Sequence, residues 1–229
     1  MALFCASSLI SGALIDSGLT GTTSLNGWEG LNNSYYDAVT HGGGYPGAAA
    51  WTNPMVANEG EADAQLMKVS GTAYPASSSL YTSGGAVLSL SDLSALTDLE
   101  TIVFSIAIAP GTGGGVVTGP SLTLNGSTLI GAATTTWDLG STSATIGGFE
   151  VTQTTYSYQW DLSGFGSTIH DFDLRFETGE HAQTYAMQLD QGDTYSLASP
   201  NAIPEPSSLV LFSLALWALF FSKRLVKTK

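Results

Sequence analysis

Thr101-Ile-Val-Phe-Ser-Ile-Ala-Ile-Ala109 alternates with a period of two, which places Ile102, Phe104, Ile106 and Ile108 on one face. That is the pattern of a β-strand laid against a core. Pro110 and the glycine-rich run Gly111 to Gly115 end it. Upstream, Gly85 to Leu90 reads as a strand, and Ser91 to Leu99 as a helical turn or a loop. Downstream, Ser121-Leu-Thr-Leu-Asn-Gly-Ser-Thr-Leu-Ile130 reads as a hairpin about an Asn125-Gly126 turn. A two-residue loop there sets Leu122 opposite Leu129 and Thr123 opposite Thr128. Strand signals continue at Ala144 to Ile146, Phe149 to Thr155 and Tyr156 to Leu162, with Tyr156, Tyr158, Trp160 and Leu162 sharing a face. His170, Phe172, Leu174 and Phe176 share another, opposite Asp171, Asp173, Arg175 and Glu177. Tyr185, Met187 and Leu189 make the last inward set.

No long helical period interrupts residues 16–200, and the first half reads as loop, punctuated by Asn32-Asn33, the glycines after His41 and Asn53-Pro54. Eight or so short antiparallel strands with Gly-rich turns predict an all-β fold, a jelly-roll-like antiparallel β-sandwich. Composition agrees. Gly makes up 27 of 229 residues, well above the usual ~7%. Hydrophobic residues at 43% supply a core, and charged residues reach only 11%. The single cysteine, Cys5, excludes a disulfide framework, a cysteine zinc site and a thioredoxin-type motif. A net charge of −13 excludes a basic groove for nucleic acid.

That charge is unevenly spread. Of 19 acidic residues only Glu205 lies beyond Ile203, whereas four of the six basic residues, Lys223, Arg224, Lys227 and Lys229, crowd the last seven positions. Just ahead of them runs an apolar stretch containing Leu209, Val210, Leu211, Phe212, Leu214, Leu216, Trp217, Leu219, Phe220 and Phe221. From Ser207 to Ser222 it would rise about 24 Å as a helix, slightly short of a ~30 Å hydrocarbon core. It has no polar face to show water. With a basic stop after it, it reads as a short transmembrane helix whose C-terminus is cytoplasmic.

Pro204, Glu205 and Pro206 stand before this helix, followed by Ser207 and Ser208. A Pro-Glu-Pro motif, a short apolar helix and a terminal Lys/Arg cluster, in that order, resemble the PEP-CTERM sorting signal. The resemblance implies an exported protein of a Gram-negative bacterium, held transiently at the inner membrane, processed by exosortase and passed to the cell surface or beyond. Many such proteins are associated with extracellular polysaccharide. Pro204 to Pro206 would be the recognition motif, Leu209 to Phe221 the helix and Lys223 to Lys229 the stop. A weaker resemblance, carried by Tyr158 to Gly164, Asp173 to Phe176 and His181 to Asp190, is to β-sandwich domains found in many PEP-CTERM proteins.

Such a tail calls for an export signal in front of the domain. Ala2 to Ile15 is apolar and small, and Ser11-Gly12-Ala13 suits a signal peptidase, but no Lys or Arg precedes Lys68. Two readings stand: a signal peptide whose start lies upstream of Met1, or a buried first strand. The chain is therefore divided into a signal segment at 1–13, an exported domain at 14–200 and a sorting segment at 201–229. Ala198 to Ile203 reads as a linker between domain and membrane.

Motifs for chemistry are sparse. The sequence holds no Gly-x-Ser-x-Gly, no phosphate loop and no His-Glu-x-x-His. His181 with Glu177 and Glu180 offers metal ligands, or simply opens a strand. Asp171 and Asp173 project from one strand face as glycosidase carboxylates do, or belong with Arg175 to a solvated charged surface. Glu59, Glu61 and Asp63 offer oxygen ligands to Ca²⁺, without the spacing of a calcium loop. Trp28, Tyr35, Tyr36, Tyr45 and Trp51 cluster among Gly and Asn, as a sugar platform or as packing of loops over a sandwich. From these, Trp28, Tyr45 and Trp51 are the candidate ligand-binding residues, and no resident cofactor is expected. The leading expectation is a non-enzymatic surface or matrix protein associated with polysaccharide. The alternative is a secreted carbohydrate-active hydrolase using the Asp171/Asp173 face or the His181 loop.

Overall fold

Alternating apolar residues set the architecture. The computed structural model describes residues 15–32, 51, 54–76, 79–146 and 149–202, and within them the chain is strand and turn without a helix. In order the strands are β1 (Ile15–Asp16), β2 (Thr23–Glu29), β3 (Met55–Val56), β4 (Glu59–Gly60), β5 (Gln65–Pro75), β6 (Leu80–Asp92) and β7 (Thr101–Ala109). There follow β8 (Val116–Leu124), β9 (Thr128–Ala132), β10 (Thr135–Ile146), β11 (Phe149–Asp161), β12 (Phe172–Thr178), β13 (Gln183–Gly192) and β14 (Asn201–Ala202).

β2 to β13 form one antiparallel sheet that curls on itself. One half runs β10-β11-β7-β13-β2-β4, the other β9-β8-β12-β6-β5-β3. They are joined where β13 meets β6, through Gln183 with Tyr81 and Thr184 with Leu80. Elsewhere they face each other. Phe104 of β7 packs on Phe176 of β12 with ring centroids 5.1 Å apart. The Trp160 indole N–H of β11 donates to Gly131 O of β9 at 3.0 Å. The result is a jelly-roll-like β-sandwich.

Its interior is the one the alternation predicts. Ile102, Phe104, Ile106, Trp160, Phe172, Leu174, Phe176, Met187 and Leu189 are all buried in one continuous cluster. Each such side chain stabilises the fold by roughly 1.5–3 kcal/mol relative to exposure. Tyr185 is buried too, but outside that cluster, because β13 bulges between Thr184 and Ala186. Its hydroxyl donates to Gln183 Oε1 at 3.1 Å.

Three expectations change. The Asn125-Gly126 turn forms, with Asn125 and Gly126 at φ 49° and 69°, but the hairpin absorbs one more residue. Leu124 pairs with Thr128 and Thr123 with Leu129, and a register shift puts Leu122 opposite Gly131. Asn125 is pinned from outside the hairpin: its Nδ2 donates to Thr168 O at 2.9 Å and its Oδ1 accepts His170 N at 2.9 Å. Leu129 therefore lies outside the core, 70% exposed. Second, the supposedly loop-like first half holds β2 and the eleven-residue β5, and β11 is one strand rather than two. Third, Ala198 to Ala202 is no free linker: Ala198 is 3% exposed, and Asn201 and Ala202 pair with Asp16 and Ile15.

Candidate functional site

The ends of the domain meet on the outer face of the first half-sheet. On β7, inward Ile102, Phe104, Ile106 and Ile108 alternate with outward Val103, Ser105 and Ala107, and the outward set is buried as well. Beside it stand two buried glutamines, Gln159 of β11 and Gln188 of β13. Gln159 Nε2 donates to Ser196 O at 2.7 Å and to Thr101 Oγ1 at 2.9 Å, and its Oε1 accepts Ala198 N at 3.0 Å. Gln188 grips the other terminal segment: Oε1 accepts Ile15 N and Nε2 donates to Ile15 O, both at 2.6 Å. Ser199 N donates to Ser17 O at 3.0 Å, extending the β1–β14 pairing. Each amide acts as one rung of a missing strand, which is how a buried glutamine satisfies its polar atoms.

Next to this clasp lies a cleft of about 360 Å³, lined in part by Asp16, Ser17, Glu61 and Asp190. Asp190 is 5% exposed and accepts Gln188 Nε2 on both oxygens, at 3.0 and 2.8 Å. Burial pushes its carboxyl up to about 7, the Asp16 charge adds to the rise, and hydrogen bonds from Gln188 and Ser17 oppose it. Between the half-sheets, Gln191 Nε2 of β13 donates to Asp92 Oδ2 of β6 at 2.6 Å. Burial and the nearby Asp63 charge raise the Asp92 carboxyl.

A second constellation sits where the half-sheets join. Tyr81 packs edge-on to Tyr74 at 5.5 Å between centroids and stacks on His181 at 5.9 Å. The Tyr81 hydroxyl and His181 Nδ1 share a hydrogen bond, and Glu180 Oε1 lies 3.7 Å from His181 Nε2. His181 is left-handed, with φ 61°. The glycine run holds it there: Gly113 N donates to Glu180 O at 3.1 Å and Gly179 N to Gly115 O at 2.9 Å. A Cβ at Gly111 or Gly113 would strike the backbone of Glu180 or His181. Such strain persists only where the surroundings over-determine it.

The sequence-predicted residues divide sharply. Trp28 and Trp51 are 0% and 2% exposed, so they pack the core and offer no ring face to a sugar; the Trp28 indole N–H donates to Met55 O at 2.9 Å. Tyr35, Tyr36, Tyr45, the signal segment 1–13, Pro204 to Pro206, the Leu209 to Phe221 helix and the Lys223 to Lys229 stop lie outside the described residues. Asp173 has both oxygens engaged, one by Ser89 Oγ and one by Arg175 Nε at 2.6 Å, which favours the charged-surface reading over a hydrolytic pair. Glu177 accepts Thr118 Oγ1 at 2.9 Å and is not gathered toward His181. Asp63 accepts Ser94 Oγ at 2.6 Å and Asn26 Nδ2 at 2.9 Å. Burial raises its carboxyl, but these hydrogen bonds outweigh it and hold the group below the usual range. Among the described residues no three acidic, histidine or cysteine side chains converge as metal ligands. Gln159, Gln188 and Tyr81 went unread because they bond to residues distant in sequence.

Comparison with known proteins bears on the tail and the fold. Residues 202–224 match the PEP-CTERM protein-sorting motif, so the chain carries an export and sorting signal of the kind that implies exosortase processing. Among solved structures the chain is similar to the carbohydrate-binding module TmCBM27, the subject of a dissection of specific mannan recognition. That similarity is at 12% identity over 75% of this chain and 96% of that one, with a TM-score of 0.35. No curated protein matches the chain.

Proposed function

We propose that this protein is a non-enzymatic surface or extracellular-matrix protein of a Gram-negative cell, released to its destination by exosortase and associated there with extracellular polysaccharide. One observation carries the reading: the sorting motif at 202–224 begins on the last paired residue of an all-β domain. The domain is thus a cargo with an address attached. For the polysaccharide contact the best-equipped surface is the Tyr74–Tyr81–His181 corner. A pyranose ring has an apolar C–H face and a hydroxyl rim, and it suits aromatic rings flanked by groups such as the His181 imidazole and the Glu180 carboxylate.

The processing arm is tested by expressing the full chain with and without exosortase and measuring the mass of the domain. Loss of the segment after Pro206 only when the enzyme is present is the expected result; equal masses, with Leu209 to Phe221 retained, would make the tail an ordinary anchor. The binding arm is tested by applying the released domain to a glycan array. Retention without turnover, lost in Tyr81→Ala and His181→Ala, is expected, and retention unchanged in both variants moves the contact elsewhere.

A further inference from the structure

A row of opposed residues underlies the aromatic corner. Tyr74 of β5 stands directly opposite Tyr81 of β6, and Tyr81 opposite Gln183 of β13. Directly opposed residues share a face of the sheet. With strands about 4.8 Å apart, the three side chains form a strip roughly 10 Å long across the join of the half-sheets. Both tyrosines are half-buried. Gln183 Oε1 already accepts the Tyr185 hydroxyl at 3.1 Å and Ser79 Oγ at 3.4 Å, so what it offers a ligand is its Nε2 donor. Glu180 stands at the rim, its side chain 57% exposed. Its approach to His181 Nε2, at 3.7 Å, is too long for a hydrogen bond and leaves the carboxylate its capacity to accept.

The charges around this strip are one-sided. All but one of the 19 acidic residues precede Ile203, against only two basic ones, Lys68 and Arg175. Neither is near the strip. Lys68 pairs with Leu88 and Arg175 with Ser89, seven and eight residues along β6 from Tyr81. At the rise of a strand that is roughly 20 Å or more, about two Debye lengths at physiological salt. A uronate- or sulfate-bearing chain would bring its negative charge to Glu180 with no lysine or arginine of the domain to receive it. An ammonium meets the opposite: a carboxylate acceptor, two tyrosine rings whose π-faces attract cations, and an acidic domain that draws polycations. We infer that the polysaccharide this corner takes is an amino-sugar polymer with free amines, its ammonium set at Glu180, its ring face on Tyr74 and Tyr81, and a hydroxyl on Gln183. The inference rests on the corner being the binding surface, as proposed above, and names the chemical class that surface selects.

The test is calorimetric titration of the full chain, in detergent micelles, with a glucosamine tetrasaccharide and with its fully N-acetylated counterpart. It is run at pH ~6, where the amine is charged. The free-amine form should bind about two- to fivefold tighter, the weight of one exposed ion pair, and added salt should erase the difference. Glu180→Gln should bring the free-amine form down to the level of the acetylated one, which should itself be unchanged. Glu150→Gln removes the same charge from an exposed position on β11 and should alter neither. A loss as large in Glu150→Gln would mean diffuse attraction by an acidic protein, and the ammonium site would be wrong. Equal affinity for both forms, abolished in Tyr81→Ala (or in Tyr74→Ala, should the first fold poorly), would overturn the amine and keep the corner. Binding unchanged in both tyrosine variants, or none of either sugar, would bring down the corner reading and the amine with it.

Discussion

The two faces of β7 are equally dry and differently built. On the inner face, Ile102, Phe104, Ile106 and Ile108 meet the other half-sheet by apolar contact. On the outer face, Val103, Ser105 and Ala107 are buried beside Gln159, Gln188 and Asp190, and the terminal segments are tied on by amide hydrogen bonds. Apolar packing is strong and indifferent to direction, whereas paired amides are weaker but fix register. The inner face holds the fold together. The outer face decides where its ends go, which matters in a chain whose end carries the sorting motif.

The largest effect should come from breaking the inner face. Phe104 is fully buried, against Phe176 on one side and Tyr158 at 6.0 Å on the other. Phe104→Ala should cost about 3–5 kcal/mol, measured by denaturant unfolding. A loss below about 1 kcal/mol would mean that the two half-sheets do not close on each other as described.

The outer face should announce itself through pH. Asp190 titrates near 7 in the folded state, raised from an ordinary value of 3.8. Below pH ~4 it is protonated whether folded or not. Between about 4 and 7 the unfolded chain loses the proton that the folded chain keeps, so the Asp190 contribution to stability falls as pH rises and then levels off. The full swing is on the order of 4 kcal/mol at most. Asp16 and Glu61 line the same cleft, and Asp16 adds to the shift. Asp190→Asn should flatten the stability profile across that window, and an unchanged slope would place its origin elsewhere.

Gln159→Leu should be milder and local. It removes hydrogen bonds to Thr101, Ser196 and Ala198, for a loss of about 1–3 kcal/mol. Hydrogen exchange should quicken at Ala198 and Ser199 with β7 protection nearly intact. Uniform loss of protection across β7 would mean that the outer layer is part of the core after all.

The inner face was legible because its residues alternate in size and hydrophobicity: β7 is readable from nine letters. The outer face was not, because nothing in Gln159 or Gln188 marks them as buried, and their partners lie up to 173 residues away. β5 escaped for a different reason. Its alternation is broken by register shifts at Lys68/Ser70 and Gly71/Ala73, and a bulge resets the face on which each later side chain falls. The tryptophans misled because a large aromatic residue in a loop-rich stretch is equally suited to a platform and to a core. Trp28 sits on the inward face of β2, opposite Met187. The sorting motif at 202–224, by contrast, was readable, since a sorting signal is linear and needs no partner in space.

The corner belongs to neither face and yields the smallest expected change in stability with the largest expected change in binding. His181 sits at φ 61°, where a side chain costs about 1 kcal/mol and glycine costs nothing. His181→Gly relieves that strain. Against it stand the lost hydrogen bond to Tyr81, about 0.5–1.5 kcal/mol at a half-exposed site, and the greater freedom of glycine in the unfolded chain, about 0.5–1 kcal/mol. These terms nearly cancel, so the unfolding midpoint should move by no more than a few degrees. The same substitution removes the ring stacked on Tyr81 and the imidazole beside Glu180. If this corner contacts polysaccharide, glycan retention should be lost while the fold is kept. A large drop in stability would instead make His181 a structural wedge between the half-sheets, and its strained backbone would then be explained by packing alone.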